Sequence, residues 1–302
     1  MKRLLLAALL SVANAAWAGP MEDAVAAYAR GDYAAQLRIS RPFAEKGEAW
    51  AQGFLGDRYQ FGNGVPKNIA EALKWYRLSA AQGFAPAQYN LGVMYTDGQG
   101  VPKNDAEALK WYRLAAAQGN AMAQFNLGAM YDSGRGVVQD YVESVRWYRL
   151  AAAQGNSGAQ SNLGLMYENG HGVVQDYVES VKWYRLAAAQ GNSGAQTGLG
   201  VRYANGQGVS KNDAEAVKWF RLAAVQGDEM AHYNLGLMYA NGEGVAQSNI
   251  RAHMWLNLAA AKRGAEAVRD RDTLAKRMNP QQIAEAQKLA RECQARNFKG
   301  CD

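Results

Sequence analysis

The sequence contains little of what enzymes, membrane proteins and nucleic-acid-binding proteins usually need. It has two cysteines in 302 residues, and no apolar run approaches the roughly 18–20 residues that cross a bilayer. Its 33 lysines and arginines form no run, so a nucleic-acid-binding surface is not indicated. The motifs G-x-S-x-G, S-x-x-K, H-E-x-x-H and G-x-x-x-x-G-K-[ST] are all missing. We therefore expect a protein that is not an enzyme, binds no metal, cofactor or nucleic acid, and has no membrane span.

The first 18 residues have the pattern of a secretory leader. Lys2 and Arg3 precede a short apolar stretch, and Ala16-Trp17-Ala18 forms an A-x-A cleavage site. No cysteine lies near that site to accept a lipid. The sequence thus predicts a cleaved signal peptide and a periplasmic or secreted protein, in a Gram-negative bacterium if periplasmic.

After the leader, the chain repeats itself every 36 residues. The tryptophans mark the period: Trp75, Trp111, Trp147, Trp183, Trp219 and Trp255. A fixed period of this length indicates a solenoid, in which each unit buries its apolar face against its neighbours. The unit at residues 83–118 reads GFAPAQYNLGVMYTDGQGVPKNDAEALKWYRLAAAQ.

Each unit has the signals of two helices. Leu91, Met94 and Tyr95 lie on one stripe of a first helix, which Gly98 ends. Asn104 begins a second helix, with a glutamate three residues later as in a capping box. No pattern of alternating polar and apolar residues predicts a strand. The fold class that follows is all-α: a right-handed α/α superhelical solenoid of helix-loop-helix repeats.

These signals divide the chain into four regions. We predict the signal peptide at residues 1–18, a degenerate N-terminal capping hairpin at 19–46, six repeats at 47–262, and a C-terminal capping helix with a tail at 263–302. The repeats are 47–82, 83–118, 119–154, 155–190, 191–226 and 227–262. Atypical end units are expected, because one face of a terminal unit has no neighbouring repeat.

The pattern A-x-A-Q-x-N-L-G-x-M-Y-x-x-G-x-G-V, followed by W-[YF] in the second helix, resembles the Sel-one-like repeat, a relative of the tetratricopeptide repeat. The resemblance covers about residues 47–262. It implies a superhelix of the tetratricopeptide type that acts as an adaptor in protein complexes. Penicillin binding has been attributed to some secreted members, which carry a disulfide in each repeat, whereas this chain has two cysteines.

By analogy with tetratricopeptide repeats, first-helix positions that vary between units line a concave groove. Aromatic and methionine side chains there would suit a protein or peptide partner, although neutral drift would also explain the variation. An asparagine recurs before the Leu-Gly pair and would either hold an extended peptide or form hydrogen bonds between repeats. The candidate groove residues are Trp50, Tyr89, Asn90, Met122, Phe125, Asn126, Asn162, Tyr233 and Asn234.

The two cysteines, Cys293 and Cys301, lie near the C-terminus. In an exported protein we expect them to form a disulfide that ties the tail to the capping helix, with metal binding or a redox role as alternatives. The three histidines occupy different repeat positions and do not suggest a shared metal site.

The predicted function is that of an exported, monomeric, non-enzymatic adaptor that binds a protein or peptide in the groove. Two alternatives stay open. One is binding or hydrolysis of a cell-wall ligand such as peptidoglycan or a β-lactam-like molecule, and the other is an accessory role in polysaccharide export.

Overall fold

A computed structural model describes residues 18–301, except for the side chains of residues 18, 262 and 263, and every regular element in this range is an α-helix. Residues 1–17 of the predicted leader lie outside the described residues. The helices are α1 Ala18–Ala29, α2 Tyr33–Glu45, α3 Ala49–Phe61, α4 Ile69–Ala81, α5 Ala85–Asp97, α6 Asp105–Ala117, α7 Ala121–Ser133, α8 Tyr141–Ala153, α9 Ser157–Asn169, α10 Tyr177–Ala189, α11 Ser193–Asn205, α12 Asp213–Ala224, α13 Glu229–Asn241, α14 Asn249–Arg263, α15 Ala265–Ala275 and α16 Pro280–Ala295. This confirms the all-α arrangement of helix pairs.

The described chain divides into two compact units. The first unit ends at Asn156 and contains α1–α8, and the second begins at Ser157 and contains α9–α16. Within each unit, successive helices up to α15 pack against one another, and α16 packs against α14. Each unit therefore has the layered helix-pair architecture of a tetratricopeptide-like α/α solenoid.

Local capping explains where the helices end and begin. Gly98 ends α5 with φ 74°, a left-handed conformation that glycine adopts without strain, and its N–H donates to the Met94 carbonyl. The Asn104 side chain then accepts from the Glu107 N–H at the start of α6. The Asn104 N–H donates to the Tyr95 carbonyl at 3.0 Å, so it is not available for the reciprocal bond of a full capping box.

Glycine in the middle of each first helix allows the second helix of the pair to approach closely. A Cβ added at Gly92 would lie 2.5 Å from the Tyr112 ring, and one at Gly128 would lie 2.6 Å from the Tyr148 ring. Both tyrosines are buried. Glycine at these positions therefore leaves room for the tyrosine ring of the second helix.

Buried glutamines connect neighbouring helix pairs by a chain of hydrogen bonds. Gln118 Nε2 donates to Gln88 Oε1 in the same pair, at 2.8 Å. Gln88 Nε2 in turn donates to the Ala80 carbonyl of the preceding pair, at 3.2 Å. The same Gln-to-Gln bond recurs in both units, at Gln82, Gln154, Gln190 and Gln226. It satisfies polar groups that close helix packing removes from water.

The two ends of the described chain depart from the repeat. At the N-terminal end, α1 and α2 form a short hairpin that packs on α3. At the C-terminal end there are two helices, α15 and α16, where the sequence predicted a single capping helix. A disulfide joins Cys293 in α16 to Cys301, with 5.3 Å between the Cα atoms.

Candidate interaction surface

Two aromatic candidates in the first unit, Tyr89 and Phe125, lie on first helices and are partly exposed. Tyr89 in α5 packs on the Tyr112 ring with centroids 5.9 Å apart, and Phe125 in α7 packs on the Tyr148 ring at the same distance. Met122, one turn before Phe125, is 38% exposed, and Asn156 Nδ2 donates to its sulfur. In these two pairs, the second helix thus supports one partly exposed aromatic side chain on the first.

The asparagine candidates bond mainly within the protein. Asn90 Nδ2 donates to Asp57 Oδ1 of the preceding first helix, at 3.0 Å. The Asn126 side chain interacts with the hydroxyls of Tyr89 and Tyr112 and lowers the pKa of both, against the larger effect of burial. These contacts support the alternative in which the asparagines bond between repeats. Asn162 and Asn234 are partly buried, and the Nδ2 atom of Asn234 is buried without a hydrogen-bond partner in the described chain.

Two of the sequence candidates are buried. Trp50 is 6% exposed and packs between the rings of Phe43 and Phe54, because the N-terminal hairpin covers this end of the repeats. Tyr233 is also buried, and its hydroxyl donates to Asp270 of α15 at 2.7 Å. Neither residue lies on an open surface, so neither can line the expected groove.

Burial also fixes the protonation state of the Tyr89 phenol. The pKa of Tyr89 is raised to about 12, first because burial disfavours the phenolate and then through the neighbouring Tyr112. At neutral pH the Tyr89 side chain is therefore a neutral ring with a hydroxyl donor. It can contribute apolar area and one hydrogen bond to a partner, and it has no tendency to act as a base or nucleophile.

A polar cluster that the sequence analysis missed lies at the start of the repeats. The Tyr76 hydroxyl lies 2.6 Å from Asp57 Oδ1 and 2.7 Å from Gln60 Oε1. The pKa of Asp57 is raised to about 6, because burial outweighs the opposing effects of Tyr76, Arg58 and Asn90. The signal was in the sequence, since the matching position holds an apolar residue in every other repeat: Val93, Ala129, Leu165, Val201 and Leu237.

Arg58 is also out of pattern, since four of the other repeats have methionine at its position. Its buried guanidinium lies 4.7 Å from the Tyr33 ring centroid and 5.1 Å from that of Tyr28. In the second unit the matching Arg202 pairs with Glu168 at 3.0 Å. Arg58 therefore stabilises the packing of the N-terminal hairpin on the first repeat through cation–π contacts.

The described residues contain no group of three or more His, Cys, Asp or Glu side chains that could hold a metal ion. Of the histidines, His232 and His253 are buried and His171 is partly exposed. His232 Nε2 lies 3.0 Å from the Ala224 carbonyl, in the place that glutamine takes in the other repeats. Among residues 18–301, no helix is both long and apolar enough to cross a membrane.

Comparison with known proteins identifies the family. A model of the Sel1 repeat matches six successive segments of the chain: 51–84, 85–120, 121–156, 157–192, 193–228 and 229–263. The chain belongs to the Sel1 repeat family. This confirms the resemblance that the repeat pattern indicated. Proteins of this family are generally protein-interaction scaffolds and are typically not catalytic.

Two solved structures show how far the similarity extends. The chain is 39% identical to c5321, described as a protective antigen present in uropathogenic Escherichia coli strains displaying an SLR fold, with a TM-score of 0.73. That match covers 85% of this chain and 56% of the E. coli chain, so this chain spans little more than half of that relative. A Sel1 repeat protein from Oxalobacter formigenes is 33% identical, with a TM-score of 0.72 and coverage of 80% and 96%. No functionally curated protein matches.

Proposed function

We propose that this Sel1 repeat protein is an exported scaffold that binds a partner protein through the first helices of its first unit. The observation that carries the proposal is a set of three side chains, Tyr89, Met122 and Phe125, which are partly exposed on successive first helices. Aromatic and methionine side chains are enriched in protein interfaces because they bury large areas and adapt to a partner's shape.

Features of both chain ends support export. Residues 1–18 have the charge, apolar stretch and A-x-A site of a signal peptide. The disulfide between Cys293 and Cys301 is compatible with an oxidising compartment, where such bonds persist. A location in the periplasm or outside the cell is consistent with both features.

A scaffold function is also consistent with how the ionisable groups are used. Asp57, whose pKa is raised, accepts hydrogen bonds from Tyr76 and Asn90 inside the fold. Burial raises the pKa of Tyr184, which donates to Glu168. Within each unit, these perturbed groups connect helices to one another through hydrogen bonds. No observation favours cell-wall hydrolysis or a role in polysaccharide export.

The experiment is in-cell crosslinking of the tagged, exported protein. The test variant combines Tyr89→Ser, Phe125→Ser and Met122→Ala. Serine already occupies the matching position at Ser161, so the fold accepts it. The control variant combines Phe61→Ser, Val138→Ser and Val142→Ser, which removes three exposed apolar side chains elsewhere in the same unit. We expect one discrete crosslinked partner that the test variant loses and the control keeps.

Both variants must retain the thermal unfolding curve of the parent, because Tyr89 and Phe125 also pack on buried tyrosines. Capture that is equal with all three proteins would contradict the proposed first-helix surface. Mature protein found only in the cytoplasm after cell fractionation would contradict export.

A further inference from the structure

The second helices carry a leucine that the fold leaves half exposed. In the first unit, Leu78, Leu114 and Leu150 occupy one repeat position of α4, α6 and α8 and are 42–45% exposed. Leu186 and Leu222, at the same position in the second unit, are 51% and 46% exposed. A single surface leucine is ordinary, but recurrence at one position in five repeats makes a patterned surface. We call Leu78, Leu114 and Leu150 the leucine ladder.

Positive charge borders the leucine ladder. Arg77 and Arg113 directly precede Leu78 and Leu114, and both are exposed. Arg113 Nη2 donates to the Tyr131 hydroxyl at 2.7 Å, and Arg77 Nη2 donates to the Tyr95 hydroxyl at 3.5 Å. Because a tyrosine hydroxyl is neutral, these bonds orient the guanidinium groups without cancelling their charge.

The sixth repeat shows what covers this position when it is buried. Leu258 in α14 matches the ladder leucines, yet it is 4% exposed. Both α15 and α16 pack against α14, and Leu258 shares a core cluster with Ala290 and Cys293 of α16. Within this chain, another helix therefore already packs on the leucine face of one second helix.

The residues beside Leu258 differ from those at the matching positions of the other repeats, and the differences suit burial under another helix. Four residues before it, Met254 is buried where the preceding repeat has the exposed Lys218. One residue before it, Asn257 replaces the arginine found at this position in the other repeats. A charged side chain is costly to bury without a partner, so Met254 and Asn257 replace the cations at these two positions, and Arg271 of α15 donates to Asn257 at 3.2 Å. The uncovered faces have kept theirs, and an occupant there would need to supply carboxylates.

We propose that the leucine ladder is a docking surface for an amphipathic helix of a partner protein, one with an apolar stripe flanked by acidic residues. The stripe would cover the leucines as α16 covers Leu258, and the flanking carboxylates would meet Arg77 and Arg113. An anionic membrane is a poorer match, because Glu71, Glu107 and Glu143 also lie on the exposed side of these helices, in ion pairs with Lys or Arg. This surface is separate from the first-helix surface proposed above and does not depend on it.

The probe is a pair of fluorescent peptides based on residues 279–298, the helix that fits this face in the sixth repeat. Both carry Cys293→Ala. The acidic peptide adds Lys288→Glu, Arg291→Glu and Arg296→Glu, and the basic peptide adds Glu285→Lys and Glu292→Lys. Anisotropy titration with the full chain should show saturable binding of the acidic peptide, at least tenfold tighter than binding of the basic one and weakened by salt.

Three variants of the full chain locate the binding site. Leu78→Gln, Leu114→Gln and Leu150→Gln together should weaken binding of the acidic peptide at least tenfold. The matched control, Phe61→Gln, Val138→Gln and Val142→Gln, removes an equal number of exposed apolar side chains from the same unit and should leave binding unchanged. Arg77→Gln with Arg113→Gln should weaken binding and reduce its salt dependence, which provides a second test that leaves the leucines in place.

The proposal is overturned if the acidic peptide does not bind, if both peptides bind equally, or if the control weakens binding as much as the leucine variant. Sedimentation of the parent chain alone that shows a dimer lost in the leucine variant would assign the face to a second copy instead. Ladder-dependent binding to phosphatidylglycerol vesicles without peptide binding would assign it to a lipid surface. The first-helix variant Tyr89→Ser, Phe125→Ser, Met122→Ala should bind the peptide normally, which separates this proposal from the previous one.

Discussion

Replacement of Gly200 by alanine tests the close approach on which every helix pair depends. Gly200 lies in the middle of α11, facing the Phe220 ring of α12. A Cβ at this position would lie 2.6 Å from Cε1, 2.7 Å from Cδ1 and 3.0 Å from Cζ of that ring. Phe220 is 1% exposed, so the ring cannot move into solvent to make room.

Two opposing effects set the size of the change. Alanine is favoured over glycine within a helix by about 0.5–1 kcal/mol. Overpacking a dense core costs about 1–3 kcal/mol, because neighbouring groups must leave their preferred positions. Contacts of 3.0 Å or less with three atoms of a buried ring place this cost in the upper part of that range. We expect Gly200→Ala to lower the free energy of unfolding by about 1–2 kcal/mol.

The measurement is urea unfolding followed by circular dichroism, with hydrogen exchange to localise the loss to α11 and α12. Gly194→Ala is the control in the same helix, because its Cβ would meet nothing closer than 3.5 Å. It should leave stability unchanged or slightly raised. In a Phe220→Leu background the cost of Gly200→Ala should shrink, since the two positions interact. Equal effects of the two glycine variants, or no loss for Gly200→Ala, would refute the reasoning.

Three further changes should have measurable effects. Because the pKa of Asp57 is about 6 in the folded state against 3.8 ordinarily, folding favours the protonated acid, so the free energy of unfolding should fall by about 2 kcal/mol as pH rises from 4 to 6. Asp57→Asn should abolish that slope in melts across this range. Gln118→Ala leaves the buried Gln88 Oε1 without its donor and should cost about 1–2 kcal/mol in chemical unfolding, whereas an unchanged midpoint would contradict the role of the glutamine chain. Non-reducing mass spectrometry should find Cys293 and Cys301 joined, and their replacement by serine should cost about 2–3 kcal/mol; two free thiols would disprove the bond.

The helix pairs could be read from the sequence because their boundaries depend on residues close together in the chain. A glycine in the left-handed conformation ends α5, and the side chain of Asn104 caps the N-terminus of α6 three residues away. Repetition strengthened each of these signals, because the same helix boundaries were predicted in six segments. The glutamine chain was missed because its partners are 30 residues apart, as with Gln118 and Gln88.

The candidate surface was less predictable, because exposure depends on what packs outside each repeat. Trp50 and Met122 occupy the same repeat position, yet Trp50 is buried under the N-terminal hairpin and Met122 is open. Tyr233 has the repeat position of Tyr89, but α15 supplies a carboxylate to its hydroxyl. Because these residues have equivalent repeat positions, the repeat pattern could not predict which of them are buried.

The sequence by itself determined that this protein is an all-α array of helix pairs, because period, caps and glycine positions act locally and recur. It also determined the family, through six copies of one pattern. Only the tertiary structure decided which equivalent residues are surface and which are core. The leucine at one repeat position is half exposed at Leu78 and buried at Leu258, because α16 folds back over the last pair alone. That difference arises from contacts between segments distant in the chain, which a repeating pattern does not encode.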